Sequence, residues 1–384
     1  MFGNHLRDHT IHGTQWNNRP SLANRTVLFI LLSTCPFIAC HRSLPAEPTT
    51  TAIQPYAWTT STPQAQNVDT DSLSFASQDF RSAGYVESFL VVRNGYLIEE
   101  QYYTPDGRLL NADIASITKS FISALVGIAI QQGYLDSLGE TMIGFFPEDN
   151  TPSLDSLKRL ITIEHLVSMR SGFQYDESKD YSDIFNQSTD WMKEAIGLPM
   201  ASIPGQTFNY ASVNAHLVSG ILTRASHLST SNLAKTYLFK PLGINVLSWP
   251  QDPQGYYFGA GRMVFYPRDL ARFGYLYENG GSVDGHMIIP ASWVSLSTQA
   301  HVLQIDAWGD FTNVGYGYYW WTAQWNSASV FLAVGFGGQF ILCLPSRNLV
   351  VVITSNQNCT TAQANQRHLD ILNIVSKRVL SAVR

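Results

Sequence analysis

The run Ala115-Ser-Ile-Thr-Lys-Ser-Phe-Ile-Ser-Ala-Leu-Val-Gly-Ile-Ala-Ile-Gln-Gln-Gly133 reads as a helix that is apolar on almost every face. Ile117, Phe121, Ile122, Leu125, Val126, Ile128 and Ile130 leave no polar stripe, and such a helix belongs in the middle of a folded domain. Lys119 is the one charged residue between Asp113 and Asp136, and of the seven lysines it alone has a serine, Ser116, three positions earlier. Residues three apart share a helix face, so the amine and the hydroxyl are expected to meet. Burial disfavours an ammonium ion and lowers the pKa of a lysine, which makes a neutral amine available as a proton acceptor. A serine hydroxyl becomes a strong nucleophile once a neighbouring base takes its proton. At the start of a helix Ser116 also gains the positive dipole end and a backbone N–H for a developing oxyanion. The same residues also read as an N-cap and a lysine paired with a buried carboxylate, and the spacing alone does not choose between the two.

Outward from this helix the chain changes character. On its N-terminal side Ser88–Val92 and Tyr96–Tyr103 are rich in β-formers, with Asn94-Gly95 between them, the signature of a tight hairpin. On its C-terminal side, from Leu135 to about Leu247, helical segments and loops dominate. Helices are predicted near Ile161–Val167, with Thr162 as N-cap, and over Ala211–Ser226, Ser231–Phe239 and Pro267–Tyr277. Strand-like runs return at Tyr316–Trp321, Val330–Val334, Gln339–Leu344 and Leu349–Thr354, before a last helix over Thr361–Val383. Strands at both ends around a helical middle predict one sheet built from the two ends. The α/β part is then 69–114 with 255–384, the mainly helical part is 115–254, and the cleft lies at their junction.

The first residues have a different composition. Val27–Ala39 is a thirteen-residue, mostly apolar run preceded by Arg19 and Arg25, about 20 Å as a helix and the length of a signal-peptide core. It ends Phe-Ile-Ala-Cys40, which resembles a bacterial lipoprotein cleavage site. Residues 1–40 are therefore expected to direct export to the cell envelope or periplasm, with Cys40 as a lipid tether to the membrane, and a plain secretory signal is the other reading. Residues 41–68, rich in Thr, Pro, Ala and Gln, are expected to be a flexible linker. Charged residues make up only 14% of the chain and the net charge is −5 without long runs of either sign, which gives nucleic acid nothing to bind. Cys343 and Cys359 flank a predicted hairpin whose register sets Cys343 opposite Val350, so no disulfide is expected. No Cys/His cluster points to a metal, and His165, His216, His227, His286, His301 and His368 read as core or surface residues, with a Ser-His-Asp arrangement left open.

Ala115-Ser-Ile-Thr-Lys-Ser-Phe121 resembles the active-site helix of the β-lactamase-related serine hydrolases, the superfamily of penicillin-binding proteins and Ser-x-x-Lys β-lactamases. Other segments agree in order: Ile161–Gly172, Phe208-Asn-Tyr-Ala-Ser212 as the second motif, Gly259–Met263 through Arg268–Gly274, and Gly335-Phe-Gly-Gly-Gln339 as the third. Together they cover residues 85–360. The resemblance implies an α+β, β-lactamase/transpeptidase-like fold, an antiparallel sheet flanked by helices plus a mainly helical subdomain. It implies a serine hydrolase with Ser116 as nucleophile, Lys119 and Tyr210 as acid/base groups and the N–H groups of Ser116 and Gln339 as oxyanion hole, without metal or cofactor. Ser212, Tyr175, Gly337 and Gly338 are the residues it places against substrate. The second motif ends in Ser212 where β-lactamases have Asn, and the third lacks a cation. Both departures are closer to the esterase and 6-aminohexanoate-dimer hydrolase branch, so a small amide or carboxylic ester is expected as substrate. A D-amino-acid peptidase or β-lactamase activity, and a catalytically silent binding relative, are the alternatives.

Overall fold

Asn94 and Gly95 take φ angles of 52° and 81°, so the chain reverses in two residues. Val86–Arg93 (β1) then pairs antiparallel with Tyr96–Tyr102 (β2). A computed structural model describes residues 55–303 and 307–384 of the chain. The predicted signal segment, Cys40 and the first part of the linker lie outside the described residues. The remaining strands of the main sheet are Val302–Leu303 (β3), Thr312–Tyr316 (β4), Trp321–Trp325 (β5), Ala328–Gly335 (β6), Gln339–Leu344 (β7) and Leu349–Ser355 (β8). They form one eight-stranded antiparallel sheet in the order β2-β1-β8-β7-β6-β5-β4-β3. Strands from the N- and C-terminal parts of the folded domain therefore meet in the sheet's interior, where β1 pairs with β8.

Alternation along the strands sends side chains to two cores. Leu342, Leu344, Val351 and Ile353 face helices Thr70–Ala83 (α1) and Thr361–Ile374, while Ile341, Cys343, Val350 and Val352 face the helical body of the molecule. The long apolar run forms a 3-10 turn, Ala115–Ile117, leading into helix α2 over Thr118–Gln131. Lys119 in it is only 1% exposed. Phe121 is sandwiched between Phe273 at 3.7 Å and Phe265 at 4.9 Å. Phe273 belongs to helix Pro267–Glu278, which lies on the sheet at Gly274, where a Cβ would come within 2.6 Å of Val350. Among the described residues no helix is long and apolar enough to cross a membrane.

Three expectations need correction. The predicted strand Tyr316–Trp321 is two strands joined by a turn: the Gly317 N–H donates to the Trp320 carbonyl, and Tyr319 has φ 61°. Its β-forming aromatics are recruited by the core instead, with Trp320 fully buried against Tyr277 and Phe273. The linker ends earlier than residue 68, because Trp58 and Val68 are buried, the Trp58 indole donates to the Arg268 carbonyl and Thr60 bridges to Leu97. The last helix stops at Ile374 and continues as a wider π turn over Val375–Leu380. The register does set Cys343 opposite Val350, and Cys343 and Cys359 are both free.

Candidate active site

The Ser116 turn is held from three directions. Ala115 before it has φ 46°, a left-handed conformation that costs a non-glycine residue free energy, and its N–H donates to Asp113 Oδ1 at 2.8 Å. The Asp113 carbonyl in turn accepts from Gln357 Nε2 at 2.6 Å, tying the turn to the end of β8. Behind the turn, Ser120 Oγ donates to the Tyr319 carbonyl at 2.8 Å, so the positive φ of Tyr319 delivers a carbonyl to the active-site helix.

Lys119 Nζ donates to Ser116 Oγ at 2.9 Å and to the Ala260 carbonyl at 2.9 Å. Both contacts are within ordinary hydrogen-bond range. The same nitrogen lies 4.9 Å from the centre of the Tyr210 ring, which stacks on Trp321 with an interplanar angle of 17°. Tyr210 therefore meets Lys119 through its ring face. Among the described residues its hydroxyl bonds to neither Ser116 nor Lys119. The neighbouring Tyr316 and Tyr319 hydroxyls are held well above their usual pKa, by burial first and by Tyr210 second. The backbone of Tyr210 is set by Asn209, whose N–H donates to the Met169 carbonyl at 2.9 Å and whose amide donates to the Tyr175 carbonyl at 2.9 Å.

Ser116, Lys119 and Tyr210 are thus brought together, and Ala260, which carries no side-chain signal, completes the set. Gly259 lets it do so: a Cβ there would lie 2.1 Å from the Ala215 carbonyl. The other expected site residues sit differently. Ser212 is wholly buried, its hydroxyl donating to Glu177 Oε1 at 2.6 Å and its N–H to Oε2 at 2.9 Å, so it binds a carboxylate of the protein at the start of helix Ser212–Ser226. Tyr175 is 6% exposed, and its hydroxyl is pushed far up, by burial first and by the Glu177 carboxylate second. Gly337 and Gly338 have φ of 82° and 106°, which the β6–β7 turn requires. A Cβ on either would meet residues 355–357 or Ile371 rather than open space.

Gln339 stands at the start of β7. It is fully buried, and its amide clamps β8, donating to the Ser355 carbonyl at 2.6 Å and accepting from the Ser355 N–H at 3.0 Å. Within this hairpin it is Gly335 that touches the nucleophile turn: a Cβ there would come within 2.5 Å of the Ile114 carbonyl. The next N–H is that of Phe336, a residue 39% exposed. Among the described residues this N–H has no hydrogen-bond partner. Gly335→Ala is expected to displace the Ser116 turn and lower kcat/KM by about 100-fold, since misplacement of a reacting group by about 1 Å costs that much. Steady-state kinetics beside a thermal melt check this, and unchanged kinetics would contradict the placement.

His216 and Asp252 pair at 3.0 Å with both side chains fully buried, in a cage of Phe185, Trp191 and Phe258. They fasten the helix after Tyr210 to the segment before Gly259. The partner of Ser116 is Lys119. Among the described residues no group of His, Cys, Asp or Glu is arranged to hold a metal ion.

The sequence profile of the family described as Beta-lactamase matches residues 87–375. The chain is 24% identical over 288 residues to the 6-aminohexanoate-dimer hydrolase of Paenarthrobacter ureafaciens, spanning 70% of this chain and 72% of that one. Its structure is similar to EstCE1, a hydrolase with promiscuous acyltransferase activity, with a TM-score of 0.64 at 17% identity over 80% of this chain and 99% of that one. It is equally similar to the D-amino acid amidase of Ochrobactrum anthropi SV3, with a TM-score of 0.63 at 16% identity over 82% and 99% of the two chains. At such identities the structural likeness is one of fold, the β-lactamase/transpeptidase-like arrangement that the motifs implied.

Proposed function

Because this chain belongs to the Beta-lactamase family, we propose that it is a serine hydrolase that forms an acyl-enzyme on Ser116 and hydrolyses a small amide or carboxylic ester. The observation that carries the proposal is the 2.9 Å contact between Lys119 Nζ and Ser116 Oγ, made by a buried lysine in an otherwise apolar helix. Ser116 Oγ attacks the substrate carbonyl carbon while Lys119 takes its proton, and the oxyanion rests on the N–H groups of Ser116 and Phe336. The tetrahedral carbon then expels the alcohol or amine, which receives a proton through Lys119 and Tyr210. Water attacks the acyl-enzyme by the reverse route, losing a proton to the same groups, and the carboxylic acid leaves.

The substrate preference is supported by what stands at the second and third motifs. Ser212, in the place of the β-lactamase Asn, is already bound to Glu177. The strand leading to Gly335 carries Ala333 and Val334, with no cation. The hydrolase of 6-aminohexanoate dimer and the D-amino acid amidase among its relatives support the same choice.

Intact mass spectrometry after separate incubation with a fluorophosphonate, a p-nitrophenyl ester and a penicillin tests the proposal. One adduct per chain is expected with the first two. No adduct with any of the three defeats the hydrolase reading in favour of a silent relative. Fast turnover of penicillin with slow ester cleavage overturns the substrate preference.

A further inference from the structure

The third-motif strand lacks a cation, but another cation stands at the same site. Arg262 lies two residues beyond Ala260, whose carbonyl holds Lys119. Between them, Gly261 runs alongside the Ala115 carbonyl, 3.7 Å from where its Cβ would be. Arg262 therefore belongs to the loop that closes over the nucleophile turn. Its backbone has φ 63°. For a long side chain this is an outlier, and such strain is retained where the surroundings impose it, most often at functional sites.

The side chain is half buried and fixed. Nη2 donates to Asn186 Oδ1 at 2.7 Å, and the guanidinium lies 5.6 Å from the centre of the Phe258 ring. Asn186 is in a π-helical turn, Asp183–Gln187, a form that recurs at functional sites. Tyr181 lies against both cations of the site: burial raises its pKa, and Arg262 and then Lys119 pull it back. Other arginines are matched with acids, Arg268 with Glu100, Arg272 with Asp284 and Arg224 with Glu148. Among the described residues no carboxylate pairs with Arg262. Glu177, also beside Tyr181, is committed to Ser212. A guanidinium presents five donors in a planar fork that suits a carboxylate, and here its side-chain acceptors among the described residues are both neutral, the Asn186 amide and the Tyr181 hydroxyl.

We propose that Arg262 is the anion anchor of this site: it binds a carboxylate carried by the substrate beyond the scissile carbonyl, and so selects acidic esters and amides over neutral ones. This rests on the hydrolase reading above and names the charge its substrate carries. The cation absent from the third-motif strand is supplied from the loop beside the nucleophile turn.

The test compares kcat/KM of the full chain for mono-p-nitrophenyl glutarate, which carries a free carboxylate, with that for p-nitrophenyl butyrate, which does not. The parent is expected to prefer the acidic ester. Arg262→Gly, which adopts φ 63° without steric cost, is expected to lower the ratio of the two values about 10- to 100-fold, mainly through KM, as loss of a charge-assisted hydrogen bond does. Arg262→Lys keeps the charge but not the fork and is expected to fall between the two. An unchanged ratio in Arg262→Gly, or no preference in the parent, overturns the anchor and leaves the hydrolase reading standing. Failure of the parent to turn over either ester through Ser116 overturns the hydrolase reading and takes the anchor with it.

Discussion

Ser116→Ala is expected to lower kcat/KM for a p-nitrophenyl ester on the order of 10⁵-fold, the scale seen when the nucleophile of a serine hydrolase is removed. The loss follows from the chemistry of the site: among the described residues no other hydroxyl hydrogen-bonds Lys119, and without Oγ no acyl-enzyme forms. The fold is expected to survive. Ser116 is half buried in a 3-10 turn whose position depends on the Ala115 N–H and on Gln357, and its side chain supplies neither of those bonds. Lys119 keeps the Ala260 carbonyl as an acceptor. Fluorophosphonate labelling should therefore vanish while the melting temperature stays within a few degrees of the parent's. Labelling that persists in this variant would place the nucleophile elsewhere.

Lys119→Met should lower kcat about 10³- to 10⁴-fold, toward the upper end of what a positioned general base contributes. Its effect on stability is a contest between two terms. Removing the amine leaves the Ala260 carbonyl without that donor, which costs about 1–3 kcal/mol for a buried acceptor. Removing a buried polar group and filling its volume with an apolar chain relieves a desolvation penalty of comparable size, about 1–3 kcal/mol. The two nearly cancel, so the melting temperature should move little while activity collapses. A merely structural lysine would give the opposite pattern. In Lys119→Ala, where a cavity replaces the side chain, added small primary amines should restore part of the rate in proportion to their concentration. Retention of more than about a tenth of the parental rate by Lys119→Met would remove Lys119 from the role of base.

Much of this could be read from the residues because the signals were local. The apolar helix, the isolated lysine and the Asn94-Gly95 hairpin each depend on a few neighbours in sequence, and each appears where expected. What escaped depended on contacts across the fold. Nothing in Gly317-Tyr-Tyr-Trp320 marks a turn beyond its glycine, because a long-range core claims Trp320 and the Tyr319 carbonyl is needed by Ser120. Ala260 acts through its backbone oxygen, which every residue has, so its type carries no information. Gln339 has a motif position, but nothing in the sequence announces that its amide clamps Ser355 across the sheet. Ser212 had a motif position but its occupant, Glu177, is 35 residues away in sequence and announced by nothing there. Trp58 lay in a segment of disordered composition, where one buried indole outweighs the polar residues around it.

The pairing of Val86–Arg93 with Leu349–Ser355 has a consequence for how the molecule comes into being. During synthesis the first hairpin emerges early with one long apolar edge, and the strand that covers that edge is translated more than two hundred residues later. Closing so large a loop is slow, and open edges invite pairing with other chains. The growing polypeptide must therefore remain unfinished, and shielded by other means, until nearly its last helix has been made. The sheet then closes in one late step that joins Val86–Arg93 to Leu349–Ser355.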